Sequence, residues 1–140
     1  SRLQRMARFL EKLPNAQFDF GNVRHEDSTC GTVGCIAGWL PNVFPNLVEW
    51  MKDPTDNDPD DPLMMFKVRS SIKHKRWRSF EESDYEAAFQ VVMKLPRRIA
   101  LALTTPSHQI NAHPDLNRLS IFATAKEAAE MLRQFIKLCK

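Results

Sequence analysis

Of the 140 residues, 35 are Leu, Ile, Val or Phe, a quarter of the chain and above the fraction below which a highly charged chain stays disordered. Twenty Lys and Arg stand against 17 Asp and Glu, a net charge of +3, smaller and less concentrated than the excess a dedicated nucleic-acid binder carries. No run reaches the roughly 18 apolar residues of a membrane span, and three cysteines cannot form a fully paired secreted framework. These numbers predict a single soluble domain over residues 1–140, with no disulfide staple needed. The opening SRLQRMARFL interrupts its apolar pairs with charge, unlike a signal peptide, so a reducing, cytoplasmic location is expected.

In chain order, Leu3, Met6, Phe9, Leu10 and Leu13 recur at helical spacing, predicting an amphipathic helix ended by Pro14. Residues 15–31 read as a loop with at most one brief strand around Phe18-Asp19-Phe20. From Thr32 through Val33, Cys35, Ile36, Ala37, Trp39 and Leu40 the pattern turns apolar, predicting a short buried helix capped by Thr32 or Thr29 and broken at Pro41. Another helix is expected over Leu47 to Lys52, started by Pro45 or Asn46.

Residues 53–62, DPTDNDPDDP, hold five aspartates and three prolines and predict an acidic loop. Residues 67–78, KVRSSIKHKRWR, reverse the sign with a basic segment of ambiguous secondary structure. Helices follow over Glu81 to Lys94 and, after Pro96, through Ile99, Ala100 and Leu103. After a loop-like stretch over 107–123, Thr124 and Glu127 form a capping box ahead of Ala128, Met131, Leu132, Phe135, Ile136 and Cys139 on one face. No segment repeats, and the expected fold is all-α or nearly so, a globule of five or six short helices with long polar loops.

The stretch from His25 to Trp39, HEDSTCGTVGCIAGW, is the one whose residue choices helix packing does not demand. Gly34 and Gly38 would leave a smooth face where another backbone could come close. Three readings of its cysteines compete. As small buried residues, Cys30 and Cys35 anchor the loop onto the following element. As metal ligands, His25, Cys30 and Cys35, joined by Cys139, His108 or His113, would make a tetrahedral zinc site, although C-x4-C is a loose spacing and no second ligand pair is near. As a nucleophile, Cys35 near a helix N-terminus would work with His108 or His113 as base, oriented by Asp115 or Asn111. A Cys30–Cys35 disulfide is the further option outside the cytosol.

Phe18-Asp19-Phe20, Cys30-Gly31-Thr32, Cys35, Ala37-Gly38-Trp39 and the capped closing helix from Thr124 to Phe135 together resemble a family of small, uncharacterised bacterial and phage proteins. The resemblance implies a fold, a motif and a phage or mobile-element setting, with no activity, cofactor or catalytic residue attached.

In the basic segment, Lys67, Arg69, Lys73, Lys75, Arg76 and Arg78 could neutralise phosphates while Trp77 stacks on an unpaired base. More simply, the segment pairs with the acidic loop or stays solvated. Asp56, Asp58 and Asp60 have the spacing of a calcium loop, but Asp61 stands where glycine is required and Pro59 stiffens the turn, so an EF-hand is rejected. His108 and His113 sit among Asn111, Asp115 and Asn117, where turn roles suffice.

No phosphate-cradling loop, H-E-x-x-H or G-x-S-x-G occurs. The reading that leads is therefore a non-enzymatic module that binds a protein partner through its charged segments and needs no cofactor. The alternatives are a Cys35 hydrolase or transferase and a nucleic-acid binder acting through residues 67–78.

Overall fold

A computed structural model describes residues 1–19, 24–27, 31–52, 64–68, 85–104, 113–116, 119 and 122–139. Among these the fold is mainly helical. It comprises five α-helices, α1 (Arg2–Lys12), α2 (Leu40–Val43), α3 (Tyr85–Met93), α4 (Arg97–Thr104) and α5 (Ala125–Leu138), and two short 3₁₀ turns, Asn15–Gln17 and Ala37–Trp39. Four strands, β1 (Arg24–Asp27), β2 (Gly31–Gly34), β3 (Val48–Lys52) and β4 (Met64–Val68), pair as two separate antiparallel ladders, β1 with β2 and β3 with β4.

The two long helices follow directly from local signals. Ser1 caps α1 in a reciprocal box with Gln4, and Thr124 caps α5 in the same way with Glu127, each box satisfying two N–H groups that the helix start leaves unpaired. Their apolar faces then pack together: Met6, Ala7 and Leu10 of α1 and Ala128, Ala129, Leu132 and Phe135 of α5 are all buried. Glu11 and Arg133 close the edge of this helix pair as a two-pronged ion pair, with Nη2 to Oε2 at 2.8 Å.

The region from Thr32 to Leu40 is not one helix. Gly31–Gly34 is a strand whose register sets Val33 opposite His25 and Gly34 opposite Arg24. Helical backbone begins only afterwards, as the Ala37–Trp39 turn leading into α2. Thr32 and Val33 are β-branched and gain from cross-strand pairing, which a helical periodicity count ignores. Pro41 does not break this helix but sits in its first turn, where its missing N–H removes no hydrogen bond. Trp39 from this segment stacks on Phe9 of α1, with ring centroids 5.5 Å apart at 47°, and Arg5 lies 5.3 Å over the Phe44 ring.

The helix expected over Leu47 to Lys52 is also corrected: Val48–Lys52 is a strand. Val48 is fully buried, Glu49 is half-exposed and Trp50 is partly buried against the core, an alternation with a period of two. The strand β4 returns with Val48 opposite Val68 and Lys52 opposite Met64.

Between α3 and α4 the chain turns at Lys94, which adopts φ 57° in the left-handed region. The Leu95 N–H reaches back 3.1 Å to the Gln90 carbonyl, the six-to-one bond of a Schellman ending made without glycine. Pro96 starts the next helix, its carbonyl accepting from Ile99 and Ala100 at 3.0 Å. Residues from α1, the Cys35–Phe44 segment, the second ladder (Val48, Val68), α3, α4 and α5 form one continuous apolar cluster.

Candidate functional site

Cys35 follows β2 immediately and opens the turn into α2, so the pairing of β1 with β2 fixes its place. The residue is buried and its thiol is free. Burial pushes the thiol up from an ordinary value of 9.0 to about 11, and the nearby charge of Asp19 adds to the rise. Backbone hydrogen bonds from Gly38, Ala37 and Cys35 itself act in the opposite direction and are outweighed. A nucleophilic cysteine needs a lowered pKa and access, so this environment matches the packing reading of the motif and runs against the nucleophile reading.

Of the two candidate bases, His113 is among the described residues. His113 lies in the 113–116 turn, where its Nδ1 accepts the Asp115 N–H at 3.1 Å, a local turn role. The Asp115 carbonyl is in turn held by the Gln134 side-chain amide at 3.2 Å, which ties this turn to α5. His108, Asn111 and Asn117 lie outside the described residues, as does Cys30. His25 is in β1, facing Val33 in register, and Cys139 is an exposed free thiol at the end of α5. Among the described residues, no three His, Cys, Asp or Glu side chains are grouped to hold a metal ion.

Of the basic segment, Lys67 is described. It is half exposed on β4 and lies 3.6 Å from Glu49 across the ladder. Arg69, Lys73, Lys75, Arg76, Trp77 and Arg78 lie outside the described residues, and so does the acidic stretch 53–62. The ladder nevertheless fixes where each segment attaches. The acidic stretch leaves from the Lys52–Met64 end, and the basic run continues from Val68 at the other end. Four residues of strand separate the two ends, about 13 Å at the usual rise.

Two open clefts are lined by the described residues of the helical part. One, of about 460 Å³, is lined by residues that include Phe9, Leu13, Pro14, Trp39 and the polar Lys12 and Asn42. The other, of about 410 Å³, lies where the start of α1, the α3–α4 turn and the end of α5 meet, and its lining is almost wholly apolar. Neither cleft was legible as a site in the sequence; the one local signal was the basic run Lys94, Arg97, Arg98 set around Leu95-Pro96. Among the described residues, no helix is long and apolar enough to cross a membrane. No family model matches this chain. No curated protein and no solved structure matches it either.

Proposed function

We propose that this chain is a non-enzymatic interaction module that binds another protein through charged segments carried on a packed helical scaffold. The observation that carries the reading is the β3–β4 ladder, which anchors five aspartates at one end and the basic run at the other. Attachment points about 13 Å apart suit two patches of opposite sign facing a complementary surface. The buried Cys35, with its raised thiol pKa, supports a structural rather than a chemical part for the cysteine motif.

The test reverses Lys73, Lys75 and Arg76 to glutamate. Proteins cross-linked to the wild-type chain in cell extract are identified, purified and titrated against both forms by calorimetry. Loss of binding by a variant whose circular dichroism is unchanged supports the reading; unchanged fold with unchanged binding removes it. A steep fall of oligonucleotide affinity with rising salt would instead transfer the basic run to nucleic acid.

A further inference from the structure

The apolar cleft between α1, α4 and α5 is lined by Leu3, Leu95, Pro96, Ile99, Phe135 and Ile136, together with Ser1 and Cys139. Among the described residues, no Asp, Glu, Lys or Arg contributes to its lining, and its volume of about 410 Å³ is large enough for the side chains of a few apolar residues. Its shoulder is charged. Lys94, Arg97 and Arg98 are exposed and alternate along the chain with the lining residues Leu95, Pro96 and Ile99. None of the three is in an ion pair among the described residues. Arg97 and Arg98 also occupy the first turn of α4, which holds no acidic residue. They add to the positive end of the helix dipole where carboxylates are normally favoured. Three exposed cations with no acidic partner among the described residues, and a helix N-terminus next in sequence to the trough's lining, favour an anionic occupant.

We infer that this cleft docks a short acidic segment of a partner protein, its apolar side chains seated on Ile99 and Phe135 and its carboxylates on Lys94, Arg97 and Arg98. A single-headed amphiphile such as a fatty acid could use one cation and an enclosed pocket; three exposed cations within five residues, interspersed with the lining of an open trough, match several carboxylates spaced along a peptide. The inference rests on the reading that the chain binds another protein. It assigns a contact distinct from the 67–78 segment.

The probe is a fluorescein-labelled peptide of about 14 residues, with Leu and Phe at helical i, i+3, i+4 and i+7 spacing and Glu elsewhere, followed by anisotropy. Its control carries Lys in place of every Glu. Saturable binding of the acidic peptide, absent for the Lys peptide and weakened about tenfold or more by Ile99→Glu and by Arg97→Glu with Arg98→Glu, is the expected result. Because Ile99→Glu places a charge in a buried position and could unfold the chain, the arginine pair, fully on the surface, is the decisive variant. A polarity-sensitive dye on Cys139, in a Cys30→Ser background, should shift to the blue as the acidic peptide fills the cleft. No saturation by about 1 mM, or equal affinity for both peptides, overturns the inference. So does a dye shift produced by laurate and not by peptide, which would make the cleft an acyl-chain site. The Lys73, Lys75 and Arg76 reversal separates the two claims: a purified partner lost on that reversal and indifferent to the cleft variants leaves the module intact and removes the cleft.

Discussion

Two residues show how a local choice is set by distant packing. Lys94 sits at φ 57°, a conformation that costs a side chain with a Cβ about 1 kcal/mol or more. The Schellman bond from Leu95 to Gln90 and the packing of Leu95 beyond it hold it there. Lys94→Gly should therefore stabilise the fold by about 0.5–1 kcal/mol, read as a rise in the urea midpoint at unchanged slope. A fall would mean that the lysine stem contributes more than its backbone loses. Cys35 gives a pH signature. Its folded thiol stands at about 11 against an ordinary 9.0, so the folded state holds the proton longer than the unfolded chain. The stability it contributes is fully present below about pH 9 and lost as pH rises toward 11, because the unfolded state ionises first. Cys35→Ala should flatten the decline of stability across that window relative to the wild type, while lowering stability at neutral pH by about 1 kcal/mol through the small void it leaves. Parallel pH profiles for the two proteins would place the burial of this thiol in doubt.

Among the elements, what could be read from sequence depended on whether the deciding contacts were local. The helices α1 and α5 were legible because their signals are local, the apolar spacing from Leu3 to Leu13 in the first and, in the second, the Thr124 and Glu127 pair that announces a helix start regardless of what the helix meets. Thr124→Ala should accordingly cost about 1 kcal/mol in an equilibrium melt, and the same change at the exposed Lys126 should cost almost nothing. The strands β2 and β3 were not legible in that way. Val33, Cys35, Ile36 and Ala37 form a short apolar run that satisfies helix and strand templates alike, and the partner that decides it, β1, lies in a polar stretch with no strand-like composition. In Val48–Lys52 the alternation was present, but Leu47 and Trp50 also fall at i and i+3, and the pairing with β4 lies across the eleven-residue connection. The Cys35 site was legible as an unusual motif and not as an environment, since its burial comes from membership of a cluster whose other residues lie mostly far away in sequence, from Met6 to Phe135.

Across the whole molecule, apolar and charged groups are sorted differently. One cluster gathers the apolar residues of every described α-helix and of the second ladder, so no part of the described helical scaffold depends on a second core. Charge is sorted along the chain into local excesses, an acidic and a basic segment that join the β3–β4 ladder at opposite ends and a basic group at Lys94, Arg97 and Arg98. Such excesses repel themselves and are retained at some expense to stability. The shoulder offers the clearest test, because its two arginines stand at the wrong end of α4 for the helix dipole. Replacing both with glutamate should raise the stability of the unbound chain by roughly 0.5–1 kcal/mol at low ionic strength. The gain should shrink in about 0.5 M salt, where the Debye length falls to about 4 Å and exposed charges are screened. The same variant should lose the acidic peptide. Greater stability with weaker binding is the pattern of residues kept for a partner, since charges serving the fold alone would lose both together. If melting at low salt leaves the double variant less stable than the wild type, the arginines are holding the scaffold together and the cleft loses its claim to an anionic partner.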